Sequence, residues 1–373
     1  MKWQLTGISL AVALALSACG GGDQPQLVPT TSVKVAGDSL SDNGVFGFRF
    51  TVQGTPTAPN LLWVEHVAAA VGHTVCPRYM ATGPSTVVAK ENTTCTNHAV
   101  AGANINVPGT AGDATPFSIV QQLKNLAASP YGSQELLLVD GGGNDLADLL
   151  GAYLAINTDG GASYTALLGE LLASTQVQAA VAGGQTGLVT AGNTYMMALA
   201  DLLADTLITQ ALNQGAQRVV VLTAPDVTVT PRFQAVLIGI QATLGEATAN
   251  SVKGVANVWV TTFNDRLKTR LSSYKQVAVV DFYAQLNQWI GQPAQFGLTN
   301  ATSPACPITG TDGMGLPTYT IKDCTEALLD GQAGKTPGWW KTYVFSDNFH
   351  GSPRLNELMG QTVTQTLEAK DWR

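Results

Sequence analysis

Charge is scarce in this chain of 373 residues. Asp, Glu, Lys and Arg together make up 12% of it, and no block of Lys or Arg occurs. The 19 basic residues are outnumbered by 26 acidic ones, which leaves a formal net charge of -7 and an isoelectric point near 5.0. Nucleic-acid binding rests mainly on cationic contacts to phosphate, so that class of partner is excluded. Histidine occurs only at His66, His73, His98 and His350, and no two of the five cysteines stand in C-x-x-C spacing. Neither pattern supplies a metal site, and none is expected. A G-x-G-x-x-G fingerprint and a Walker lysine are both missing, which argues against a nucleotide cofactor. No cofactor of any kind is implied. Internal repeats and a second long hydrophobic span are absent as well. What is abundant is apolar side chain, 45% of residues, far more than a disordered chain carries.

Part of that apolar content is a leader. Leu5 to Ala18 is an apolar stretch after Lys2, of export-signal length and too short for a permanent membrane span, so residues 1–18 read as a signal peptide. Its end, Leu16-Ser17-Ala18-Cys19-Gly20, resembles the bacterial lipobox, in which small residues admit the peptidase and Cys19 receives a diacylglyceryl thioether. Ordinary cleavage to a periplasmic or secreted protein is the alternative. Residues 19–31, with Gly20-Gly21-Gly22 and then Pro29, read as a lipidated cysteine and flexible tether. Resemblance to sorted lipoproteins implies the outer membrane, since no Asp follows Cys19 directly.

Four further cysteines, Cys76, Cys95, Cys306 and Cys324, suggest two disulfides in an exported chain. Three connectivities are possible, and the local pairs Cys76 with Cys95 and Cys306 with Cys324 are favoured. Each would close a loop of about twenty residues and stabilise the fold by roughly 3 kcal/mol on the chain-entropy model.

From residue 32 onward, strand-like and helix-like runs alternate. Ser32 to Ala36 reads as a strand ending at Gly37, and Asn60 to Val71 as a helix with apolar residues on a helical repeat. Leu136 to Val139 is a continuous apolar run, as in a buried parallel strand. A helical pattern from Thr194 to Asn213 stops before Gly215, and Arg218 to Leu222 is again strand-like. A helical segment around Phe263 to Leu271 leads into the run Val277 to Asp281. This order predicts an α/β fold, a parallel sheet covered by helices on both faces, in one domain over residues 32–373. Residues 151–193, weakly charged and rich in Ala, Gly, Thr and Leu, form an insertion that reads equally as a mobile lid or a helical hairpin.

Ligands of such sheets bind beyond the carboxyl ends of the strands, and four segments there carry chemistry. Gly37-Asp38-Ser39-Leu40 follows the first strand and could project the Ser39 hydroxyl, although on this segment alone a helix cap by Ser39 or Asp38, the commoner use of such residues, is favoured. Near the C-terminus, Asp347 stands three residues before His350, a spacing that lets a carboxylate orient an imidazole. His66 and His73, in or just beyond the first helix, read as surface residues. Gly102 in Asn97-His98-Ala99-Val100-Ala101-Gly102 offers a bare backbone N–H, and Asn144 in Gly141-Gly142-Gly143-Asn144 offers a side-chain donor to a developing negative charge. Trp339, Trp340 and Tyr343, just before Asp347, read as core rather than as pocket lining.

These four segments, in this order, resemble the four sequence blocks of the GDSL or SGNH hydrolase family. Its block residues match Ser39, Gly102, Asn144 and the pair Asp347 and His350. Weaker similarity to the larger esterase and lipase branch runs through Val219 to Pro231, Phe263-Asn264 and Pro293 to Leu298. The family usually follows its His with Pro-Thr, where this chain has Gly351-Ser352-Pro353, and Ala101 also departs from its second block.

The resemblance implies a three-layer flavodoxin-like α/β/α fold and a serine hydrolase of esterase, lipase or phospholipase type. Ser39 would be the nucleophile, His350 the base and Asp347 its orienting acid. Ser39, Gly102 and Asn144 would form the oxyanion hole. The partner is then a small-molecule or lipid ester. Two other readings share the same residues, a glycan O-deacetylase or acyltransferase, and a catalytically silent surface lipoprotein. Oligomeric state is not legible in the sequence.

Overall fold

The computed structural model describes residues 29–109, 114–313 and 315–373. The leader and Cys19 lie outside the described residues.

Four strands make the central sheet: β1 (Ser32–Ala36), β2 (Glu135–Val139), β3 (Arg218–Leu222) and β4 (Val277–Val280). All are parallel and lie in the order β1-β2-β3-β4, with Val35 opposite Leu138, Leu138 opposite Val220 and Val220 opposite Ala278. Outside β1 the chain at Asn97 adds one parallel bridge to Val35. Side chains alternate across a strand, and the two sets are both apolar here. Leu137, Val139, Val219 and Val221 enter one core, whereas Leu136, Leu138, Val220 and Leu222 enter the other. A run apolar at every position is therefore what a sheet buried on both faces requires.

Against the first face pack α2 (Ile119–Leu126), α3 (Gly143–Leu154), α4 (Gly184–Gln210) and α6 (Glu246–Leu271). Against the second pack α1 (Trp63–Ala70), α7 (Phe282–Gly291) and α8 (Pro353–Ala369). Helix α5 (Pro231–Leu244) starts on a Thr230 cap with Pro at its first position, and α8 likewise on Ser352 and Pro353. The α/β class and the three layers expected from the sequence are thus present.

Helices α4 and α6 begin well before the points their apolar periodicity suggested, at Gly184 and Glu246. They pack on each other, and the contact carries the long helices where intrinsic periodicity is weak. Trp259 of α6 is fully buried, and Arg266 grips Asp201 of α4 through Nε and Nη2 at 2.8 and 3.0 Å. Residues 151–193 are largely helical, with segments Ala162–Gly169 and Ser174–Ala182 before α4. Tyr164 in this segment is fully buried, its ring stacked on Trp259 with centroids 6.3 Å apart.

The disulfides join Cys76 to Cys95 and Cys306 to Cys324. The second sits in a satellite core with Val52, Ile321, Leu329 and Trp340. Trp340 is thus core, as read from the sequence, and Trp339 donates its indole N–H to the Leu329 carbonyl at 3.0 Å. Among the described residues no helix is long and apolar enough to cross a membrane.

Candidate active site

The site is built where β1 ends. Gly37 passes so close to Asp140, at the end of β2, that a Cβ there would lie 2.0 Å from the Asp140 carboxyl oxygen. Only a residue without a side chain fits. Gln122 of α2 clamps the same residue, accepting from the Gly37 N–H at 2.7 Å and donating to its carbonyl at 3.0 Å. The chain then closes a tight turn, with the N–H groups of Ser41 and Asp42 both donating to the Asp38 carbonyl at 3.1 and 3.0 Å. Ser39 stands on this turn.

His350 and Asp347 arrive from the other end of the chain, just after the short strand Tyr343–Phe345. His350 Nε2 lies 2.8 Å from Ser39 Oγ, a contact between residues 311 apart in sequence. Its Nδ1 lies 2.7 Å from Asp347 Oδ2. The other Asp347 oxygen accepts the backbone N–H groups of Phe349 and His350 at 2.8 and 2.6 Å, which locks the carboxylate's orientation. With Nδ1–H committed to the carboxylate, Nε2 is left to accept the serine proton. Burial opposes ionisation of both partners. Even so, the charge and contact of Asp347, with the charge of Asp38, hold the His350 pKa above its ordinary value. Asp347 is held below the usual carboxylate range by His350 and the two backbone donors.

Beneath the turn lies a second, buried carboxyl pair. Asp140 accepts from the Ser41 hydroxyl, which also receives the Trp63 indole N–H at 3.1 Å. Burial, and then the neighbouring charge of Asp38, raise the Asp140 pKa well above that of an ordinary carboxyl, and burial raises Asp38 as well.

The expected oxyanion residues are drawn together by the loop 97–106. Gly102 has φ of +79°, a backbone conformation that favours glycine. Asn144, in the first turn of α3, donates one amide hydrogen to the Ala103 carbonyl at 2.9 Å, leaving the second for a ligand. Asp42 accepts the Ala101 N–H at 2.9 Å, and so ties the loop to the turn that carries Ser39. Asp145 accepts the N–H groups of Ile105 and Asn106 at 2.9 and 3.0 Å, and ties it to α3. Among the described residues no hydrogen bond takes the backbone N–H of Ser39 or of Gly102.

Sequence reasoning missed Gln122, Asp42, Asp140 and Asp145 as supports of the site. Asp140 directly follows a strand, and Asp42 and Asp145 stand within three residues of Ser39 and Asn144, which was the available signal. Gln122 carried none, because its role depends on α2 lying across β1. The remaining histidines stand apart. His66 and His73 are half-buried rather than surface residues: burial lowers the His66 pKa, and His73 Nε2 contacts the Thr30 carbonyl at 2.8 Å. His98 is buried beside the Tyr79 hydroxyl, its pKa lowered to about 4, mainly by burial. Among the described residues no group of three His, Cys, Asp or Glu could hold a metal ion.

A hydroxyl, an imidazole and a carboxylate in series at hydrogen-bond distance, at the end of the first strand of a parallel sheet, can perform the chemistry of a serine hydrolase. The model of the GDSL-like Lipase/Acylhydrolase family matches residues 33–363, and the chain belongs to that family. No curated protein matches it. Membership points to acyl-ester hydrolysis in broad terms, and the two disulfides mark an exported protein.

Proposed function

We propose that the protein is a serine carboxylic ester hydrolase acting through an acyl-enzyme on Ser39. The reading is carried by His350, whose two ring nitrogens contact Ser39 and Asp347 at 2.8 and 2.7 Å. Ser39 Oγ attacks the ester carbonyl as its proton passes to His350 Nε2, and Asp347 stabilises the imidazolium. The oxyanion is held by the N–H groups of Ser39 and Gly102 and the Asn144 amide. Collapse breaks the bond to the alcohol, which leaves with the proton from His350. Water then attacks the acyl-enzyme, giving its proton to His350, and the acid departs as Ser39 regains a proton.

The test is turnover of p-nitrophenyl acetate by Ser39→Ala and His350→Ala. Each is expected to lose at least a thousandfold in kcat/KM with an unchanged melting temperature, and a fluorophosphonate is expected to label Ser39 by peptide mass. Near wild-type turnover in either variant overturns the reading. We infer further that the mature chain starts at a lipidated Cys19 and resides at the outer membrane. This rests on the lipobox-like Leu16-Ser17-Ala18-Cys19. An intact mass with an unmodified N-terminus refutes the anchor.

A further inference from the structure

Helix α3 starts at the site, with Asn144 in its first turn, and runs away from it. Ala147, Leu150, Gly151 and Leu154, continued by Ala155 and Thr158, recur at three- and four-residue intervals and so share one face. That face lines a cavity of about 420 Å³, with α5 across it. Val227, Phe233 and Val236 form the opposite wall, and Phe349 stands at the catalytic end. A Cβ on Gly143 would meet the Phe349 ring at 3.9 Å, and that ring's centroid lies 5.6 Å from the ring of His350. The cavity therefore begins one aromatic ring from the catalytic imidazole. Its first α3 residue, Ala147, follows Asn144 by one turn, about 4.5 Å along the axis.

We propose that this cavity is the acyl-chain subsite, and that it selects esters of medium-length straight-chain acids. The inference rests on the ester-hydrolase reading above and adds the substrate class. A carbonyl held by Asn144 has its chain directed down the α3 face, where Leu150, Leu154, Val227, Phe233 and Val236 make the walls predominantly apolar, with Thr158, Thr230 and Arg232 the polar side chains among them. At about 30 Å³ for a group the size of a methylene or a water, the cavity holds about 14 such groups. Ala147, Gly151 and Thr158 of its wall are exposed, so part of the cavity is open to solvent and a chain of roughly 8 to 12 carbons fills the enclosed part.

Gly151 is the specificity-determining position. It lies in the last turn of α3 on the cavity face, and a Cβ built there meets nothing within 4 Å. A larger side chain consequently enters the cavity without disturbing packing, and also removes a helix-weakening glycine. Burying each methylene favours the longer ester by about fourfold, up to the length at which the cavity is full.

The experiment measures kcat/KM of the full chain, Gly151→Ala, Gly151→Phe and Ser39→Ala on p-nitrophenyl esters from acetate to palmitate. Wild type is expected to rise at least tenfold from acetate to a maximum between octanoate and laurate, then fall at palmitate. Gly151→Phe is expected to keep acetate turnover within twofold and lose at least tenfold on decanoate, with Gly151→Ala following wild type. A flat ladder, a maximum at acetate, or a Gly151→Phe profile parallel to wild type overturns the subsite while leaving the hydrolase reading intact. Retained turnover in Ser39→Ala, or none on any ester by wild type, overturns the hydrolase reading and the subsite with it.

Discussion

Replacing Asp347 by Asn keeps the shape of the side chain and removes only its charge and one pair of acceptor sites, so the result can be worked from three hydrogen bonds. One oxygen of Asp347 accepts two backbone N–H groups, those of Phe349 and His350, and the other accepts His350 Nδ1. An Asn can present its oxygen to only one side. Facing the backbone, it keeps two bonds, and its amide hydrogen then forces His350 Nδ1 to be the acceptor. Nε2 carries the proton in that tautomer and cannot take one from Ser39. Facing the imidazole, it restores the productive tautomer but sets its NH₂ against two buried donors. Each donor left unpaired costs about 1–3 kcal/mol, so the productive orientation lies roughly 2–6 kcal/mol higher. At 1.4 kcal/mol per factor of ten, kcat/KM on p-nitrophenyl butyrate is expected to fall by about 30-fold to 10⁴-fold. The melting temperature should move little, since the backbone contacts survive.

The pH profile provides a second readout. Asp347 contributes to holding the His350 pKa above its ordinary value, against burial, so wild-type activity should rise with pH through that elevated pKa as the imidazole becomes a base. The residual activity of the variant should rise at lower pH. A variant within tenfold of wild type, with the same profile, would refute the assignment of Asp347 as the orienting acid.

Asp145 is almost fully buried, and burial raises its pKa to about 7. The folded state therefore keeps a proton that the unfolded chain releases near pH 4. Its contribution is most favourable below about pH 4 and is lost as pH rises to 7, by up to about 4 kcal/mol. Urea unfolding of wild type and Asp145→Asn at pH 4 and pH 7 should show a fall in stability between the two that is larger in wild type by up to this amount, and an equal fall in both would refute it. The disulfides close loops with sequence separations of 19 and 18, so removing either pair by double Ala substitution should cost about 3 kcal/mol in denaturant unfolding. A loss below about 0.5 kcal/mol for both would refute the loop-entropy reasoning.

The central runs Leu136 to Val139 and Val219 to Leu222 were legible because a doubly covered parallel strand leaves an unbroken apolar signature, whereas the edge strand Ser32–Ala36 was legible through Val33 and Val35 ahead of Gly37. Ser39, Gly102, Asn144, Asp347 and His350 were legible for a related reason: each sits just past such a run or in a block whose spacing carries the family resemblance. Tertiary structure alone brought His350 against Ser39 across 311 residues. It set Gln122 across the nucleophile turn, buried Asp140 beneath it, and carried α4 and α6 beyond their own periodicity. It also left a gap between α3 and α5 that forms the cavity. These features depend on distances between segments far apart in the chain. Periodicity and spacing report which side of an element is apolar, whereas what lies against that side is decided only when the layers pack.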